Sequence, residues 1–188
     1  MITESTFHLI GEALTRSASS FNHTRVCELG NQWMMTTPIC SDIKSPFLTK
    51  YQIPARQWYE SKGLQYVSID TNGKDGALRY DLELPLPLDI LGQFDIVTNF
   101  GTLEHISDQR QALQNIHNLL RIGGLVIHVL PMSPDYDGHG LYTYTPKFLQ
   151  ELKAIGAYYT ELEEVVYVTP GEQIHGGDVL CFVLSKQS

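Results

Sequence analysis

Cysteine is scarce in this chain, with only Cys27, Cys40 and Cys181, and their spacing matches no zinc ligand set. Two of them sit inside apolar runs, which predicts buried thiols in a reducing, cytoplasmic setting. Basic residues are also few. Thirteen Lys and Arg face 21 Asp and Glu, a formal net charge of −8, and no Lys/Arg cluster interrupts the pattern. Counterion release on nucleic acid requires such clusters, so nucleic-acid partners are not expected. No apolar run approaches the roughly 20 residues that a membrane span needs. Met1 to Ser5 lacks a basic segment leading into an apolar one, so no secretory signal is expected, and the Asn22-His23-Thr24 sequon is read as chance. No repeat or low-complexity linker appears. A chain of 188 residues buries about two thirds of its unfolded surface on its own, so residues 1–188 read as one domain.

The most informative stretch runs from 93 to 131, QFDIVTNFGTLEHISDQRQALQNIHNLLRIGGLVIHVLP. Phe94, Ile96 and Val97 form a short apolar run. Leu113, Ile116 and Leu120 recur at helical spacing, and Gly123-Gly124 opens a second run from Leu125 to Leu130. This is a β-α-β unit, which implies parallel strands. Ligands of open parallel sheets bind beyond the carboxyl ends of the strands, where Asn99 to His105 and Pro131 to His139 fall.

Flanking segments extend the alternation. Phe7, Ile10 and Leu14 predict a leading helix over 4–16, Arg25 to Leu29 a buried strand ending at Gly30, and Gln57 to Lys62 a helix closed by Gly63. Leu64 to Asp70 reads as a strand ended by the Asn72-Gly73 turn, and Leu78 to Leu82 as a third strand. Residues 31–47, with two prolines and no clean period, read as a functional loop with at most a short helix. Thr145-Pro146 starts a helix stopped at Gly156. Ala157 to Val168 and Val179 to Leu184 form a terminal strand pair around a glycine-rich loop, 169–178. The expected class is α/β, a doubly wound sheet.

The ordered set Phe94-Asp95-Ile96-Val97, Leu103-Glu104-His105 and Leu120-Arg121-Ile122-Gly123-Gly124 resembles class I S-adenosylmethionine-dependent methyltransferases, over residues 24 to 184. The resemblance implies a Rossmann-like sheet of order 3-2-1-4-5-7-6 with the last strand antiparallel. It also implies S-adenosylmethionine as cofactor and a cofactor site formed by Glu28, Gly30, Asn31 and Gln32 after the first strand. Asp70 and Thr71 would lie at the ribose, Asp81 and Leu82 at the adenine, and Asn99, Phe100 and Gly101 beside the methionine part. One departure stands out. Where the family continues with further glycines, this chain has Asn31-Gln32-Trp33-Met34-Met35. A pyrophosphate needs glycine for close backbone approach, so the departure disfavours NAD and FAD. S-adenosylmethionine carries no phosphate and demands less of that turn.

Candidates for chemistry lie at the same sheet edge. His139, flanked by Gly138 and Gly140, is read as a general base or substrate binder, or else as a residue that bonds the loop backbone. Tyr142 and Tyr144 offer stacking or hydrogen bonding to an acceptor. His105 is a second candidate base, or ties its turn to a neighbouring loop. His128 reads as a core residue and His117 as surface or packing. Asp135, Asp137 and His139 form too weak a pattern for a metal, and none is assigned. The function implied is methyl transfer to a small molecule or glycan precursor. The alternative is a methyltransferase-like scaffold without activity, favoured by the glycine-poor turn and the irregular 31–47 segment.

Overall fold

The computed structural model describes residues 11, 15, 23–36, 51–132, 138–155, 157–166 and 179–187. Gly11 and Thr15 are helical; the rest of the expected leading helix, Cys40, Asp135, Asp137, Gly156 and loop 169–178 lie outside the described residues. Eight strands and three α-helices follow in chain order. They are β1 Arg25–Leu29, β2 Trp33–Thr36, β3 Tyr51–Pro54, α1 Ala55–Ser61, β4 Gln65–Ile69, β5 Phe94–Phe100, α2 Gln109–Leu119, β6 Leu120–Pro131, α3 Pro146–Ala154, β7 Tyr158–Val166 and β8 Val179–Lys186.

Six strands form the main sheet in the order β4-β1-β5-β6-β8-β7. β4, β1, β5 and β6 pair in parallel, and β8 inserts antiparallel between β6 and β7. This is the expected order with one correction. The third strand at Leu78 to Leu82 is reduced to a single bridge between Ile69 and Leu78, because Tyr80 N–H turns back onto Leu78 O and ends the ladder. A second difference lies in the segment expected to be loop or short helix. β2 pairs antiparallel with β3, Trp33 opposite Pro54 and Met34 opposite Ile53. Among the described residues, no helix is long and apolar enough to cross a membrane.

The period-2 alternation of the strands fills two cores, one on each face. Cys27, Leu29, Val97, Val126, Leu130, Phe182 and Leu184 pack against Ala112, Ile116 and Leu119 of α2 and Leu149 and Leu152 of α3. Val26, Ile96, Ile127, Val129, Cys181 and Val183 pack with Ala55 and Tyr59 of α1. Cys27 and Cys181 are buried, as expected. Asp108 caps α2 by accepting from Gln111 N–H at 2.9 Å. Thr145 does stand at the N-cap of α3, with proline next, but its side chain makes no capping bond.

One buried polar residue of α2 holds the loop after the Leu78 bridge. Asn115 donates to Leu82 O and Leu84 O, both at 2.9 Å, and accepts from Leu86 N–H at 3.3 Å. Residues 82–86 form no strand, so these bonds replace a ladder. Asn115→Ala is expected to lower stability by about 2 kcal/mol, read as a shifted urea midpoint with unchanged slope. An unshifted midpoint would mean that the loop is held by its apolar contacts alone.

Candidate active site

The carboxyl ends of β1, β4, β5 and β6 converge on one edge of the sheet. The chain leaves β1 at Gly30, whose φ of +78° is left-handed; a Cβ there would stand 2.7 Å from Thr102 Oγ1 and 2.8 Å from Gln32 Nε2. Gly30 N–H donates to Ile69 O at 2.8 Å, which joins this turn to the end of β4.

Asp70 stands just beyond β4 and organises the same turn. Its Oδ2 accepts from Asn31 N–H at 2.8 Å and its Oδ1 from Asn72 N–H at 2.9 Å. Asn31 reaches on to Asp75 Oδ2 at 2.8 Å. Thr71 is exposed, and its carbonyl accepts from Arg79. Asp81 is exposed and accepts from Glu83 N–H, whereas Leu82 is buried beneath it.

Glu28, next to last in β1, does not face solvent at this edge. The strand alternation turns it into the core under α1, fully buried, where Oε2 accepts from Tyr66 Oη at 2.5 Å and from Gln32 N–H at 3.1 Å, while Oε1 has no partner. Burial pushes its pKa up to about 7, against the pull of the Tyr66 and Gln32 bonds. Gln32 thus hangs from Glu28 by its backbone, and its side chain crosses Gly30 to Thr102 Oγ1 at 3.3 Å.

Asn99 is also turned inward. Its Oδ1 accepts from Thr102 N–H at 3.2 Å and Leu103 N–H at 3.1 Å, and its amide nitrogen lies 2.9 Å from His128 Nδ1. Both backbone groups are donors, which fixes the amide orientation: Nδ2 donates and Nδ1 of His128 accepts. His128 is therefore neutral, and burial holds its pKa down at about 3. His128 stacks on Phe182, its cross-strand neighbour, with ring centroids 4.7 Å apart. Phe100 is buried, and Gly101 N–H donates to Val129 O.

The Leu103–His105 turn carries a carboxylate that the sequence reading quoted only as part of a motif. Glu104 is 1 % exposed; its Oε1 lies 3.8 Å from Nε2 of both His105 and His139, and its Oε2 has no partner. Burial pushes its pKa up to about 7. The second loop is fastened to it, since Leu141 N–H donates to Glu104 O at 2.7 Å. The two candidate histidines thus meet across Glu104, their rings 5.2 Å apart. Tyr142 lies at the rim, exposed, its hydroxyl donating to Ser107 O at 3.1 Å. Tyr144 requires a correction. It is buried against Phe148 with its hydroxyl donating to Gln109 Oε1 at 2.8 Å, so it packs the loop rather than facing an acceptor. His117 packs on Tyr158 at the far side of the sheet.

A parallel sheet in this order, with the last strand reversed and the loops of β1, β4 and β5 meeting at one edge, is the class I methyltransferase architecture. Residues 36–126 match the family described as methyltransferase domain. No curated protein matches the chain in sequence. Among solved structures, the N-methyltransferase NodS from Bradyrhizobium japonicum WM9, in complex with S-adenosyl-L-homocysteine, is similar with a TM-score of 0.63 at 13 % identity, over 99 % of this chain and 89 % of that one. The 1,6-didemethyltoxoflavin-N1-methyltransferase of Burkholderia thailandensis, with bound 1,6-didemethyltoxoflavin and S-adenosylhomocysteine, gives 0.62 at 15 %, over 95 % and 77 %. A 16S rRNA (adenine(1408)-N(1))-methyltransferase from Catenulisporales acidiphilia gives 0.56 at 13 %, over 95 % and 91 %. Part of the chain matches the methyltransferase-domain family, and its fold is that of the class I methyltransferases, as the motif resemblance implied.

Proposed function

We propose that the domain binds S-adenosylmethionine along the carboxyl edge of its sheet and methylates a small molecule or glycan precursor. The observation that carries this reading is Asp70. Its carboxylate ends β4 beside the Gly30 turn, and the bonds from Asn31 and Asn72 occupy two of about four acceptor positions, leaving room for two ribose hydroxyls. Asn31, Gln32 and Thr71 would flank the ribose, Asp81 and Leu82 the adenine, and Gly101 with the backbone of Asn99 and Phe100 the methionine part. Glu28 and the Asn99 side chain would act from below, by fixing the two turns. The cofactor supplies an activated methyl group there. The protein's contribution is to hold an acceptor atom against it, an effect worth about 7 to 11 kcal/mol. His105, His139 and Tyr142 rim the acceptor side. The acidic charge and the lack of a basic cluster support a small acceptor over nucleic acid, although one similar structure is an rRNA methyltransferase.

Asp70→Ala is expected to weaken binding of S-adenosylhomocysteine at least tenfold, about 1.4 kcal/mol, in calorimetric titration. Equal affinity in the variant and the wild type would remove Asp70 from the site.

A second reading, an inactive scaffold, has one specific observation in its favour: the Gln32 side chain lies across Gly30 where the methionine part would pass. On that reading the wild type binds no cofactor and Gln32→Ala restores binding. On the first, the wild type binds, with the Gln32 side chain moving aside.

A further inference from the structure

We propose that Glu104, His105 and His139 form a site for one divalent transition-metal ion, with open positions that take oxygen donors of the acceptor. The three ligand atoms lie within 4.8 Å of one another, and both histidine Nε2 atoms are 3.8 Å from Glu104 Oε1. Around an ion with ligands at about 2.1 Å, tetrahedral neighbours stand about 3.4 Å apart, so modest rotamer changes bring the three into range. Two imidazoles and one carboxylate favour an ion such as Zn²⁺ over Mg²⁺ or Ca²⁺, which prefer all-oxygen sets.

Two independent features support an ion here. First, the Glu104 carboxylate is buried with Oε2 unpartnered, an arrangement that costs stability unless a cation or donor compensates it. Second, the backbone is built to bring the distant histidine in. A Cβ on Gly140 would stand 2.9 Å from both Glu104 Cγ and Glu104 O, so only glycine lets the loop approach, and it sets His139 over the carboxylate. The histidine side chains are 48 % and 30 % exposed, so the carboxylate forms the floor and the imidazoles the solvent-facing mouth. The open positions of a bound ion would face solvent at the sheet edge, beside Tyr142. An acceptor presenting a hydroxyl or carboxylate oxygen fits that mouth. This last step rests on the methyltransferase reading; the metal site does not.

The test uses the full chain stripped with chelator, titrated calorimetrically with Zn²⁺, with Co²⁺ absorbance as a second probe and S-adenosylhomocysteine titrated in parallel. One Zn²⁺ per chain is expected. His105→Ala, His139→Ala and Glu104→Gln should each lower Zn²⁺ affinity at least about 100-fold, beyond what loss of an outer partner costs, and leave S-adenosylhomocysteine affinity within about twofold. His105 is half exposed, so its variant folds and keeps the test decisive even if Glu104→Gln does not. Absence of Zn²⁺ binding, or binding unchanged in the His105 variant, overturns the site. Zn²⁺ binding lost in the variants while no S-adenosylhomocysteine binds in the wild type supports the metal site and overturns the methyltransferase reading instead.

Discussion

Glu28→Gln is expected to stabilise the ligand-free protein by about 3 kcal/mol at pH 8 and to change little at pH 4, measured by urea denaturation across that range. The cause is the burial of Glu28 beneath α1, which lifts its pKa from the usual 4.5 to about 7. A pKa raised on folding means that the native state holds a proton the unfolded chain has already lost. Stability linked to this group is therefore complete below about pH 4.5 and is lost as pH rises through about 7. A difference of about 2.5 units at 1.36 kcal/mol each sets the size. Glutamine keeps one oxygen to accept from Tyr66 and from Gln32 N–H and carries no charge at any pH. Parallel pH profiles for the variant and the wild type would show that Glu28 titrates normally and that the buried carboxylate is compensated. The same substitution bears on function, because Gln32 hangs from this carboxylate across Gly30.

The legible part of the fold was the part where pattern and topology coincide. Phe94 to Phe100, the α2 stripe and Leu125 to Leu130 follow the period of their elements, so β5 and α2 were readable and parallel pairing followed. β6, however, begins at Leu120, expected in the helix, and runs through Gly123-Gly124, expected as a turn. The terminal pair β7 and β8 was readable in the same way, but its inserted order came only from the family resemblance. Leu78 to Leu82 failed for a physical reason: its composition suits a strand, but after one bridge Tyr80 turns back and Asn115 takes over the carbonyls of Leu82 and Leu84. β2 was missed because Trp33 to Thr36 gains its ladder from residues 51–54, a non-local pairing that a local period cannot show.

At the site, Asp70 and the meeting of two loops were readable from strand ends. The inward turn of Glu28 and Asn99 was not, since which face a polar residue takes depends on the register of its neighbours. Glu104 lay in plain view in the Leu-Glu-His motif. Its neighbours in sequence, Thr102, Leu103 and His105, gave no signal of burial, which arises from the packing of the loop around Gly140 onto it.

Asn99→Ala is expected to cost about 3 kcal/mol, because it strips an acceptor from two backbone donors, Thr102 N–H and Leu103 N–H, and leaves a buried imidazole nitrogen without its donor. The turn released is the one that carries Thr102 against Leu29 O and Glu104 against the two histidines, so binding at this edge should weaken along with the fold. Asn99→Asp separates the hydrogen bonds from the shape. Aspartate retains the acceptor for both N–H groups, yet it sets a second lone-pair oxygen against the lone pair of His128 Nδ1, both side chains being buried. One proton, on either partner, repairs the contact. The folded variant therefore holds a proton that the unfolded chain releases, and its deficit relative to wild type should be large at pH 8 and shrink as pH falls toward 5. Urea denaturation of both variants at the two pH values checks this, with the alanine variant serving as the pH-independent reference. A deficit in Asn99→Asp that does not change with pH would mean that His128 presents N–H rather than a lone pair to position 99, and that the amide orientation deduced from the two backbone donors is wrong.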